Sequence, residues 1–158
     1  MDRRLYEEDF YLWTAAQAEA LRAEGARAAG QGRKGQGSNA IDWDLVAEEV
    51  EDLGKSDRNA CLSLATQILV HFYKLAWTRR AEPHGHWMAE VLAFRDDLAG
   101  KLTPSLRAVV VAELERLHTS AAKRASLMFS SEEPGAPTDP DLRWTLEQVL
   151  GEADDPVA

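Results

Sequence analysis

The stretch Ser56–Arg80, SDRNACLSLATQILVHFYKLAWTRR, decides the fold. Cys61, Leu64, Ile68, His71 and Leu75 recur at steps of three and four, the spacing of one helix face. Leu62, Ala65, Leu69, Phe72 and Ala76 form a second such row beside it. A narrow strip, with Asn59, Ser63, Thr66 or Gln67, Lys74 and Thr78, is left for water. A helix that is apolar over most of its circumference must be surrounded by other helices. The stretch therefore predicts the central helix of a bundle.

Outward toward the N-terminus, Tyr6, Phe10, Trp13, Gln17 and Leu21 share one face of a helix expected from Tyr6 to about Ala28. Residues 30–39, GQGRKGQGSN, contain four glycines and no apolar side chain, and read as a flexible, exposed loop. Gly30, Gly32 and Gly35 match the spacing GxGxxG, but that fingerprint works only after a strand and at the mouth of a helix. A helix precedes it here, which argues against a dinucleotide site. Asn39 or Asp42 caps the next helix, which is expected to run to about Leu53 and stop at Gly54. Trp43, Val46, Val50 and Leu53 form its apolar stripe, with Asp42 and Glu49 along one edge.

Outward toward the C-terminus, Pro83 and Gly85 break the central helix within AEPHGH. Trp87, Val91, Phe94 and Leu98 then form a stripe closed by Gly100. Thr103 caps the longest helix, with Pro104 at its first position, and that helix continues to about Phe129. A turn-rich connector occupies residues 130–141. Thr145 and Gln148 form a capping box, and Trp144 is placed to staple onto Val149. No period-two alternation is bounded by turns, so no strand is expected. The fold class is all-α: a compact antiparallel helical bundle of about five main helices plus a short C-terminal helix. With 158 residues, it is expected as a single domain over 1–158.

The formal charge is −9, which argues against a nucleic-acid partner, since phosphate binding calls for basic patches. Cys61 is the only cysteine, so no intrachain disulfide forms; in the apolar stripe it is expected to be buried and inert. The N-terminal MDRRLYEEDF lacks the apolar core of a signal peptide. No apolar run reaches the roughly 18 residues of a membrane span. These features predict a cytoplasmic protein with no membrane partner.

In order, the landmarks are Tyr6–Trp13 with Gln17, Asp42-Trp43, Glu48–Glu51 with Gly54, and His71 with Lys74. They continue with Trp87, Arg95, Pro104-Ser105-Leu106 and Thr145–Gln148. This set resembles the bacterial "domain of unknown function 29" family over nearly the whole chain. The glycine loop looks like an insertion relative to that family, and His84-Gly85-His86 stands where an arginine-serine stretch is more usual. The resemblance implies a compact helical bundle and no activity.

Two groups of side chains are candidates for chemistry. Glu82, His84 and His86 are close enough in sequence to hold a zinc or iron ion. Glu115–His118 supplies one Glu-x-x-His pair, but a di-iron bundle needs two. The second group is a polar cluster of Asp42, Glu49, His71, Lys74 and Arg95, expected to converge between helices, with Glu49 the preferred partner of His71. Buried charges need partners, so the cluster reads first as a structural ion network and second as general-base equipment. Of five tryptophans, Trp77 is expected to be partly exposed beside Arg79 and Arg80. No cofactor is required by this reading. The leading function is a non-enzymatic interaction module, an adaptor or inhibitor with a protein partner or a second copy of itself. The alternative is a metal-dependent enzyme with a His/Glu site inside the bundle.

Overall fold

A computed structural model describes residues 3–30 and 41–157. Among them are six helices: α1 (Arg3–Glu8), α2 (Phe10–Gly30), α3 (Trp43–Trp77), α4 (His84–Lys101), α5 (Pro104–Glu132) and α6 (Leu146–Leu150). No strand occurs among the described residues, and the protein is all-α. The expected glycine loop at 30–39, beyond Gly30, lies outside the described residues. The chain divides into two compact units, Met1–Asn59 with Thr103–Ser105, and Ala60–Leu102 with Leu106–Ala158.

In the first unit, the single N-terminal helix expected from the periodicity is two helices, divided at Asp9. Asp9 is buried, and its Oδ1 accepts the Leu12 amide at 3.1 Å, which makes it the N-cap of α2. The same carboxylate accepts the Ser105 hydroxyl at 2.6 Å and the Ser105 amide, in the first turn of α5, at 2.9 Å. Burial opposes its charge, but the hydrogen bonds from Ser105 and Leu12 outweigh that and hold the carboxyl below its usual range. Tyr6 sets its ring edge-on to Phe10 and Trp13, with centroids 5.4 and 4.8 Å away, so this part of the expected stripe does pack.

Gly54 does not stop a helix. α3 runs through it for 35 residues and is longer than α5, which has 29. A Cβ at position 54 would lie 2.2 Å from Thr14 Oγ1 and 3.3 Å from Tyr11 Cδ2, so the bare backbone lets α2 and α3 approach closely. Gly25 does the same from the other helix, where a Cβ would meet that of Trp43 at 2.6 Å. This contact rotates α3 away from the expected orientation. The inward line is Ala47 and Gly54, while Trp43 and Val50 are half-buried. Val46 and Leu53 are exposed to 40% and 55%.

In the second unit, the Ala60–Trp77 part of α3 is buried on nearly every side, as its composition requires. Cys61, Ala65, Ile68, Leu69, Phe72 and Tyr73 are all fully buried. Each large apolar side chain among them contributes about 1.5–3 kcal/mol. Val91 and Leu98 of α4, and Leu106, Val110, Leu117 and Ala121 of α5, supply the expected stripes. Trp77 is 2% exposed, not partly exposed, because its Nε1 donates to the Asp139 carbonyl at 3.2 Å. His84-Gly85-His86 is the first turn of α4 and not a break; Pro83 sits at the N-cap, where a missing N–H costs nothing. The capping box of α6 forms as expected, with Thr145 Oγ1 accepting the Gln148 amide at 3.3 Å and Gln148 Oε1 the Thr145 amide at 3.0 Å. The Trp144 ring packs against Phe72, Tyr73 and His118.

His118 is 1% exposed. Its Nδ1 meets the Tyr73 hydroxyl at 3.1 Å, and its Nε2 lies 3.0 Å from the Trp144 carbonyl and 3.3 Å from the Trp144 amide. With the Tyr73 hydrogen given to the Leu142 carbonyl, the tautomer protonated at Nδ1 is satisfied: Nδ1–H donates to the Tyr73 oxygen and Nε2 accepts the Trp144 amide. Burial depresses the proton affinity of the ring below the usual histidine range, opposed in part by the Trp144 carbonyl.

Two outcomes follow from this packing. Gly54→Ala should destabilise by about 1–2 kcal/mol: overpacking costs about 1–3 kcal/mol, and the gain in helix propensity of about 1 kcal/mol only partly offsets it. Urea unfolding measures the change, and pairing Gly54→Ala with Thr14→Ala should restore part of the loss. For His118 the folded proton affinity lies below the unfolded one, so its contribution is intact above about pH 6.5 and is lost as pH falls through the folded value. The fall in melting temperature from pH 7.5 to 5.5 should be smaller for His118→Gln than for the wild type. Parallel curves for the two proteins would overturn this account.

Candidate functional site

His71 and Lys74 are three residues apart on α3, so they project from one face. Both are buried, at 7% and 6% exposure. The His71 Nδ1 faces the Gln67 carbonyl at 2.8 Å, and its Nε2 faces the Glu90 carboxylate of α4 at 2.7 Å. Both partners are acceptors, so the geometry is complete when each ring nitrogen carries a hydrogen: an imidazolium against a carboxylate. The His71 N–H is the main reason the Glu90 carboxyl sits below its usual range, and burial only partly opposes it. The Phe94 ring packs edge-on against the imidazole, with centroids 5.5 Å apart.

The Lys74 ammonium lies 4.3 Å above the centre of the Trp87 ring, a cation–π contact. Burial pulls its proton affinity below the ordinary lysine value, and the charges of Glu90 and Glu132 draw it back only in part. Beside this group, a cavity of about 250 Å³ is bordered by Trp87, Phe129, Glu132 and Glu133.

The remaining expected members of the cluster stand elsewhere. Glu49 and Asp42 are exposed, and Asp42 Oδ1 accepts the Leu45 amide at 3.0 Å as the N-cap of α3. Glu49 and His71 both belong to α3, about six turns apart, so one continuous helix keeps the expected pair from meeting. Arg95 is buried, but it holds the end of α6: Nε donates to the Val149 carbonyl at 2.9 Å and Nη2 to the Gln148 carbonyl at 2.7 Å. Asp155 neutralises it at 2.7 Å. Gly151, with φ +75°, adopts the left-handed C-cap conformation, and a Cβ there would stand 3.1 Å from Arg95 Cζ.

The Glu82, His84 and His86 set is not assembled. Glu82 pairs with Arg80 at 3.5 Å, and the exposed His86 Nε2 lies 3.6 Å from Glu90 Oε1. Among the described residues no three His, Cys, Asp or Glu side chains are grouped as metal ligands. Sequence reasoning missed Glu90, the acid that completes the site. It lies three residues after Trp87 and four before Phe94, a carboxylate within an apolar stripe, and that placement was the available signal.

No curated protein matches the chain. The crystal structure of an α-helical protein of unknown function from Rhodospirillum rubrum is similar, with a TM-score of 0.74 and 24% sequence identity. The similarity covers 93% of this chain and 89% of that one, and it shows a shared fold. The family model described as "Domain of unknown function DUF29" matches residues 5–153. That range is nearly the whole chain, and the chain belongs to the DUF29 family.

Proposed function

We propose that the protein is a non-enzymatic interaction module, an adaptor or inhibitor, that receives a basic amphipathic helix on the first half of α3. The observation that carries this reading is the exposure of Val46 and Leu53 in the midst of exposed acids. The two residues are seven apart and so lie nearly one above the other, as do Asp42 and Glu49 beside them. Leu45 and Ile41 are exposed to 53% and 57% on the same segment. Asp44, Glu48, Glu49 and Asp52 are exposed too. Among the described residues Asp44, Glu48 and Glu49 have no ion-pair partner, whereas Glu51 is held by Arg22 at 2.9 Å and Asp52 by Lys55 at 2.9 Å. An apolar stripe framed by carboxylates complements leucines framed by lysines. A second copy would set acid against acid, so the partner is a different, basic chain.

The His71–Glu90 pair supports a structural role for the polar site. Both imidazole nitrogens are engaged within the protein, one by the Gln67 carbonyl and one by the Glu90 carboxylate, so neither is presented to a substrate.

A helical leucine/lysine peptide of about five turns should bind in calorimetry, more weakly as salt rises, while its leucine/glutamate counterpart should not bind. Val46→Ser and Leu53→Ser should each weaken binding about tenfold, or about 1.4 kcal/mol. Indifference to both substitutions, or a dimer in sedimentation that Leu53→Ser dissolves, would overturn the reading. In a mutant cycle, His71→Ala with Glu90→Ala should show about 1 kcal/mol of coupling, and His71→Ala with Glu49→Ala should be additive to within about 0.5 kcal/mol. Coupling in the second cycle would sink the structural assignment.

A further inference from the structure

We propose that the cavity between α5 and the segment after it binds a small carboxylate with an apolar body, such as an aromatic or branched aliphatic acid. The cavity encloses about 450 Å³, within the roughly 300–1,000 Å³ of small-molecule sites. Its apolar surface comes from Trp77, Ala122, Leu127 and Pro140. Leu127 is 68% exposed, an apolar wall that a ligand would shield from water. Two cations stand on the lining, Lys123 and Arg143, against one carboxylate, Asp141. Among the described residues Lys123 has no ion-pair partner. An ammonium beside an apolar wall suits a ligand that carries a carboxylate on an apolar body.

The walls are already fixed. Trp77 Nε1 holds the Asp139 carbonyl at 3.2 Å, and the Tyr73 hydroxyl donates to the Leu142 carbonyl at 2.7 Å. Arg143 Nη1 donates to the Pro140 and Leu142 carbonyls at 2.8 and 2.9 Å, while its Nε donates to Glu115 at 3.0 Å. The guanidinium is thereby oriented, and its charge is partly balanced by Glu115. Lys123 is left as the principal anchor for a carboxylate, and binding needs little reordering of the chain.

Calorimetric titration of the full chain with 2-naphthoate, 2-naphthamide and 2-naphthylmethylammonium tests the proposal. Saturable one-to-one binding of the naphthoate is expected, at least fivefold weaker binding of the amide, and none of the ammonium. Lys123→Glu and Leu127→Glu, both at exposed positions that the fold does not need, should each reduce naphthoate affinity about tenfold. Arg3→Glu changes the net charge as much as Lys123→Glu does, at an exposed position that is not part of the cavity lining, and should leave affinity within twofold. Absence of saturable binding, equal binding of acid and amide, or equal losses in Lys123→Glu and Arg3→Glu would overturn the proposal.

Discussion

No side chain fits at position 54. That steric fact allows α2 to close on α3, and the closure determines which residues of the first half of α3 face inward. With Gly54 and Ala47 against the neighbouring helix, the larger side chains one step around the helix are turned toward water. The same residue leaves α3 unbroken. Glycine disfavours a helix interior by about 1 kcal/mol relative to alanine, so its presence there needs a compensating contact, and Thr14 and Tyr11 provide one.

The helical class was legible because its signals are local. The residues around Cys61, Ile68 and Leu69 are apolar on almost every face, and no arrangement other than full burial accommodates them. The capping box at Thr145 and Gln148 was readable for the same reason, since the motif and the structure it builds lie within four residues. Boundaries were misread where a residue serves a distant contact. Asp9 lies in phase with a continuous helix, yet it ends α1 because its carboxylate is drawn to Ser105, 96 residues away. Gly54 reads locally as a stop and acts as a point of close approach. The one-residue difference between these readings reverses the burial of Val46 and Leu53.

The polar site was half legible. His71 and Arg95 stand among apolar residues in the sequence and are buried, whereas Lys74, expected also on the strip left for water, is buried because its ammonium lies over Trp87. Their partners were not deducible from α3 alone. A buried basic side chain takes the nearest acceptor that its own helix brings near: Glu90 for His71, and Asp155 with the final carbonyls of α6 for Arg95. Glu49 can reach His71 only if a helix ends at Gly54, as the sequence reading has it. Once α3 is continuous, the pairing fails whatever the chemistry of the two groups.

The net charge of −9 is therefore divided in a way that composition cannot reveal. In the second unit the buried basic side chains each have an anionic or aromatic neighbour: His71 with Glu90, Arg95 with Asp155, and Lys74 with Trp87. Burial makes that necessary, because an uncompensated charge in a low-dielectric interior costs several kcal/mol. No such requirement acts on the first half of α3, where Asp44, Glu48 and Glu49 stand in water beside exposed leucine and valine. Surface carboxylates add solubility wherever they are placed, but solubility alone does not account for apolar side chains set among them. Leu53 on a solvated, acid-rich face would be a liability in an isolated chain. Its cost is offset if a complementary basic helix covers it, and the partner's lysines then meet the exposed carboxylates of this segment.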